Sequence, residues 1–139
     1  MAEDQEEFLK QANVAILATV DGSGRPHAAP IWYLYEDGVL LMSTGGGSQK
    51  HRNIERNPQV TLVVDKRTLP YYALMVHGRA EIGPPLSDEE RRRLAVRYLG
   101  GEVADAYLAR TRGGSSVSIR LRPAKIIEFH GQAGRPEGG

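Results

Sequence analysis

Residues 43–58 read STGGGSQKHRNIERNP. Gly45, Gly46 and Gly47 tolerate positive φ angles, and a run of such residues can turn successive backbone N–H groups toward one point. Ser48 stands where a helix N-cap would be, so the helix after it would aim its positive end at the same place. Lys50 and Arg52 each add a charge. These are the parts of a phosphate cradle. They are equally the parts of a loop running into an exposed, capped helix, and spacing alone leaves both readings open. The stretch is not a P-loop: G-x-x-x-x-G-K-[ST] fails because His51 follows the lysine and the glycine spacing is wrong.

Other chemistry-bearing residues are sparse. His27, His51, His77 and His130 show no H-x-x-x-H or H-E-x-x-H spacing, so no metal site is expected. There is no cysteine and no G-x-S-x-G elbow. The carboxylates fall mostly in expected helices and turns, where a solvated face accounts for them. The catalytic residues stay unknown at this level, and an enzyme built on this chain would leave its chemistry to a cofactor. Trp32, Tyr33 and Tyr35 lie on one expected strand, with the two tyrosines on one face and Trp32 on the other. Tyr71 and Tyr72 open a later strand. Such aromatics serve core packing, a flat wall for a ring, or a dimer contact.

The elements that must position these groups follow from periodicity and turn chemistry. A helix is expected over 4–12, with Phe8 and Leu9 buried and acids near its positive end. A strand over 13–20, a turn at Asp21-Gly22 and a second strand over 27–35 come next. Pro30 lies inside that second strand and belongs at a bulge or an edge. A third strand covers 39–43, and a short helix over 49–56 is closed by Asn57-Pro58. Strands follow over 59–65 and 71–82. In the latter Leu74, Val76, Ala80 and Ile82 share a face with Gly78, where something is expected to approach the backbone closely. Ser87 and Glu90 form a capping box for a long helix, a second helix covers 103–110, and two strand segments meet at Arg122-Pro123. Hairpin-length links dominate. The expected fold is therefore mainly β (α+β): a small antiparallel barrel with short peripheral helices.

The chain has 139 residues, the size of one domain with a real core. We assign that domain to 1–130 and a Gly/Pro-rich flexible tail to 131–139. A net charge of +1 gives no electrostatic case for a nucleic-acid partner. No apolar run reaches membrane-spanning length, and the acidic start lacks a signal-peptide core, so a soluble, cytoplasmic protein is expected.

The ordered set VAILATVDGSGRPHAAPIWYLYEDGVLLMST, SQKHRNIERNPQVTLVVD and HGRAEI resembles the pyridoxamine 5'-phosphate oxidase-like family, and within it the branch of flavin and deazaflavin oxidoreductases. The likeness is close over 8–82 and loose at the terminal strands. It implies a split β-barrel that forms a homodimer, with two cofactor sites at the subunit interface. It also implies that the phosphate of FMN or of the deazaflavin coenzyme F(420) is held after the third strand by Ser48, Gln49 and Lys50, with Asn53 nearby. The backbone around Pro30, Ile31 and Trp32 would line the ring system. The GSQK wording is closer to deazaflavin-binding members, which implies hydride transfer between F(420) and a small conjugated organic substrate. FMN in the same site, or a non-catalytic protein that holds a flavin or heme, are the alternatives. The C-terminal substrate-phosphate motif of the pyridoxamine phosphate oxidases proper is not recognisable here, so pyridoxal phosphate synthesis is not implied. Tyr33, Tyr72 and His77 are candidate proton donors beside ordered water.

Overall fold

A computed structural model describes residues 1–131; all but the first residue of the expected tail lies outside them. Seven strands form one sheet: β1 (Ala15–Val20), β2 (Pro26–Ile31), β3 (Leu34–Glu36), β4 (Val39–Gly45), β5 (Gln59–Lys66), β6 (Tyr72–Gly83) and β7 (Ser116–His130). Their order is β2-β1-β5-β6-β7-β4-β3, and every neighbouring pair is antiparallel. β2 and β3 occupy opposite edges of this sheet, yet only Trp32 and Tyr33 separate them along the chain. A link of two residues cannot span a flat seven-stranded sheet. The sheet must curl until its edges meet, and the result is a split barrel.

This geometry corrects the single strand expected over 27–35. The chain leaves one ladder at Ile31 and enters another at Leu34, because the two halves pair with opposite ends of the sheet. The Tyr98 hydroxyl bridges the break: it accepts from Tyr33 N–H (3.2 Å) and lies 2.9 Å from the Asn13 carbonyl oxygen. Side-chain alternation survives. Ile31, Tyr33 and Tyr35 face the barrel interior, while Trp32 and Leu34 face a second apolar cluster. Pro30 lies on the edge strand β2, where a proline is tolerated.

A second correction concerns the C-terminal segment. It is one strand of 15 residues rather than two. Pro123 is accommodated by a bulge: His77 pairs with Lys125 and Gly78 with Pro123, so Ala124 is the extra residue. Gly78 sits at that irregularity. A Cβ there would lie 2.2 Å from the Arg122 carbonyl oxygen and 2.9 Å from Leu121 Cδ1, so the close approach expected at Gly78 comes from β7 itself.

Helices plug the barrel and buttress its side. α1 (Glu3–Leu9) buries Phe8 and Leu9, and α2 (Gln49–Arg56) buries Ile54 in the same core. α1 ends three residues before the expected boundary, and its terminal carbonyls are captured from elsewhere in the fold. The Arg97 guanidinium donates to the carbonyls of Leu9, Lys10 and Gln11, and the buried Tyr33 hydroxyl donates to Leu9 (2.9 Å). A cation at a helix C-terminus also suits the helix dipole. Arg97 belongs to α3 (Asp88–Leu99), capped by Ser87 and Glu90 as the sequence suggested. α4 (Gly101–Arg110) follows, starting two residues before the expected position. Leu86 and Leu94 close the second cluster over Leu34, Leu41 and Trp32. No helix among the described residues is long and apolar enough to cross a membrane.

Asp21 organises the β1–β2 turn. Its carboxylate bonds His27 Nε2 (2.9 Å) and accepts from the N–H groups of Arg25 (3.0 Å) and Ser23 (2.8 Å). These bonds, with His27 the largest, lower its pKa from an ordinary 3.8 to about 2. A depressed carboxyl pKa stabilises the fold above the unfolded value and is lost as pH falls through the folded one. We therefore expect the urea midpoint to drop between about pH 4 and about pH 2, and Asp21→Asn to flatten that part of the profile. Identical acid limbs for the two proteins would remove Asp21 from the account.

Candidate functional site

The stretch from β4 into α2 is built differently from the amide cradle its glycines suggest. Only Gly47 has a positive φ among Gly45, Gly46 and Gly47. The loop amides are also occupied internally: Gly46 N–H donates to the Ser115 carbonyl (3.2 Å), Gly47 N–H to His51 Nδ1 (2.9 Å) and Ser48 N–H to the Gly45 carbonyl (3.1 Å). A Cβ at Gly46 would lie 2.9 Å from Ser115 Oγ, an exposed hydroxyl that would have to turn aside. Arg52 is likewise engaged, donating to the Gly47 carbonyl (2.6 Å) and to Gln49 Oε1 (2.8 Å).

What faces outward is the first turn of α2. Ser48 caps it by accepting from His51 N–H (3.2 Å), and its hydroxyl is 3.0 Å from Thr44 Oγ1. The amides of Gln49 and Lys50 fall in the first helical turn, where no intrahelical acceptor exists. Lys50 is half-buried and has no ion pair among the described residues. Asn53 lies behind this turn at 1% exposure. Its Nδ2 donates to Thr19 Oγ1 (3.0 Å) and its Oδ1 accepts from Gln49 Nε2 (2.7 Å), so it fixes Gln49 from beneath and presents no surface of its own.

Lys50 borders a cleft of about 510 Å³. Pro30, Ile31 and Trp32 line it too, so the fold brings together the strand edge and the helix start that the sequence singled out. Ser48 and Gln49 adjoin Lys50 without lining the cleft. Trp32 is held as a rigid wall: it stacks on Tyr98 with centroids 5.0 Å apart and planes 8° apart, and Tyr107 leans on it at 5.6 Å. Val14 and the end of β4 (Ser43, Thr44 and Gly45) also line it, as do Leu94, Tyr107 and Ser116. The part of these last three was invisible in the sequence, because the fold brings α3, α4 and β7 back across a gap of dozens of residues and no local spacing records that.

None of the three candidate proton donors lines this cleft. Tyr33 is fully buried, bonded to the Leu9 carbonyl, and burial pushes its hydroxyl pKa up. Tyr72 packs edge-on against Phe8, and burial, with the Glu128 carboxylate beside it, raises its pKa to about 12. His77 bonds Thr61 (2.6 Å) on β5 and β6. Among the described residues no three His, Asp or Glu side chains gather as a metal site would require.

The family model described as Pyridoxamine 5'-phosphate oxidase matches residues 1–130. The chain belongs to this family. Its pyridoxamine 5'-phosphate oxidase-like split barrel is the architecture the sequence resemblance implied. Among curated members, it is 31% identical over 96 residues to the 5a,11a-dehydrotetracycline/5a,11a-dehydrooxytetracycline reductase of Streptomyces rimosus subsp. rimosus, covering 63% of this chain and 68% of that one. It is 29% identical over 125 residues to the pyridoxine/pyridoxamine 5'-phosphate oxidase of Dichelobacter nodosus, covering 86% of this chain but only 50% of the relative. Among solved structures, an F(420) reductase superposes with a TM-score of 0.74 at 29% identity, covering 91% of this chain and 98% of that one. All three are named as reductases or oxidases.

Proposed function

We propose that the chain is an oxidoreductase that transfers a hydride between bound deazaflavin coenzyme F(420) and a small conjugated organic substrate. One observation carries this reading: a half-buried lysine with no ion partner among the described residues, at the first turn of α2, borders the same cleft as a fixed indole wall. The residues fit a flat cofactor with a phosphate. The amides of Gln49 and Lys50, the positive end of α2 and the Lys50 ammonium suit the phosphate, with Ser48 and Gln49 adjoining and Asn53 holding Gln49 in place. Pro30, Ile31 and Trp32 suit the ring and exclude water from one side of it. The deazaflavin, when bound, supplies the hydride chemistry. The named activities of the Streptomyces relative and of the F(420) reductase support the same reading.

We propose further that the protein is a cytoplasmic homodimer with the cofactor at the subunit interface. Register places Pro30, Ile16, Val63, Met75 and Ile127 in one row across five strands, on the face opposite the core. The row is half-buried to exposed, and it ends at Pro30 on the rim of the cleft. A second copy seated on this apolar row would supply the missing wall.

The test is a fluorescence titration of the purified protein with F(420), run beside FMN. Tight F(420) binding with weak FMN binding is the expected result. The reverse preference would make this an FMN protein, and failure to bind either would remove the oxidoreductase reading. Steady-state oxidation of the reduced cofactor by a panel of enones and quinones then separates an enzyme from a carrier.

A further inference from the structure

α3 carries four arginines, and three are engaged. Arg92 pairs with Asp105, Arg93 with Glu36 and Glu89, and Arg97 with the carbonyls of Leu9, Lys10 and Gln11 at the end of α1. Arg91 has no ion pair among the described residues; its one bond runs from Nη2 to Thr111 Oγ1 at 2.9 Å. A guanidinium carries five N–H donors in a planar fork, so most of this one is idle. It borders a second recess of about 320 Å³, floored by Leu86, Leu94 and Leu108 and walled by Trp32 and Tyr107. Asp88 also borders this recess, exposed and without an ion pair to Arg91. Trp32, Ser43, Leu94, Tyr107 and Ser116 line both this recess and the Lys50 cleft, so the two spaces adjoin.

We propose that this recess is the substrate site, and that Arg91 recognises a carboxylate on a small, planar, unsaturated substrate. Aromatic and leucine walls of this size suit a flat conjugated body. A guanidinium at their edge, on a half-buried arginine, suits a carboxylate, which it grips with two parallel N–H···O bonds. The substrate role rests on the reading of the neighbouring cleft as the cofactor site. The recess and its preference for carboxylates do not.

Trp32 is the single tryptophan and borders both spaces, so its fluorescence reports on the recess directly. The probes are 4-nitrocinnamate and its neutral amide, titrated into the cofactor-free protein. The acid should quench Trp32 saturably and bind about ten-fold or more tighter than the amide, the range of a charge-assisted bond. Arg91→Leu should bring the acid down to the amide's affinity and leave the amide unchanged, while Arg91→Lys retains part of the difference. Arg91→Leu should also leave F(420) affinity intact. Equal binding of acid and amide, no saturable quenching by either, or an F(420) defect in Arg91→Leu would each overturn the proposal. If Arg91→Leu does not fold by circular dichroism, the acid–amide comparison on the unaltered chain decides alone. A chain that binds F(420) but not the acid keeps the proposed function and loses this site. One that binds the acid but not F(420) does the opposite.

Discussion

Lys50→Ala is expected to raise the F(420) dissociation constant by roughly 10- to 150-fold and to leave the melting temperature nearly unchanged. A charge-assisted hydrogen bond contributes about 1.5–3 kcal/mol, and each 1.4 kcal/mol is about a factor of ten. The second half of the expectation is as important as the first. Lys50 has no ion pair among the described residues and does not belong to the buried core, so its removal takes little from the folded state. Asn53→Ala should do the reverse in part, costing stability through the bonds to Thr19 and Gln49. A fluorescence titration and a thermal melt on the same preparation check both halves. A Lys50→Ala protein that binds F(420) as tightly as the parent would place the phosphate elsewhere.

Gly78→Ala is expected to be the most damaging single methyl that could be added to the sheet. The new carbon would lie 2.2 Å from a backbone oxygen of β7, and unlike a flexible side-chain tip that oxygen is fixed in a ladder. Relief requires parting β6 from β7, the longest pairing among the described residues. We expect a loss of about 3 kcal/mol, or a fall of about 10 °C in melting temperature. Gly24→Ala makes the control: its added carbon meets nothing within 4 Å, and the cost is confined to the strained positive φ of 83° in an exposed turn. A Gly78→Ala melt within a degree or two of the parent would show that the bulge yields, contrary to this account.

Much of this fold was legible because local rules and tertiary structure agree. The Ser87–Glu90 box, the Asp21-Gly22 turn and the alternation through Leu74 and Val76 are short-range signals, and each came out in its expected place. The departures share one cause. Residues 27–35 look continuous to any local rule, and only the curled sheet dictates that pairing switches edges at Trp32-Tyr33. Pro123 looks like a boundary until a partner strand with a glycine absorbs it. At the site, Lys50, Pro30 and Trp32 were readable as residue types with an evident use. The acceptor that occupies the Gly46 amide was not, because Ser115 comes from a distant part of the chain, and the one that occupies the Gly47 amide is the side chain of nearby His51, which spacing alone does not aim back at the loop. Arg91 was hidden for a similar reason: among the arginines of one helix, nothing in sequence says which will be left without a partner.

β6 pairs with β7 along its whole length, as far as Gly83 opposite Ser118, so a tight turn would have nearly sufficed to join them; residues 84–115 stand there instead, carrying α3 and α4. The barrel owns the wall against which a cofactor would lie, whereas most of the Arg91 recess belongs to this insertion. With the cleft as cofactor site and the recess as substrate site, as proposed above, the two duties fall largely on different stretches of the chain, meeting at Trp32, Leu94 and Tyr107, which border both spaces. Selection can rewrite the insertion for a new acceptor while the redox half stays as it is, provided the tether through Arg97 to α1 and through Tyr98 to the indole is kept. One scaffold can in this way serve many acceptors, each change confined to a single hairpin of helices.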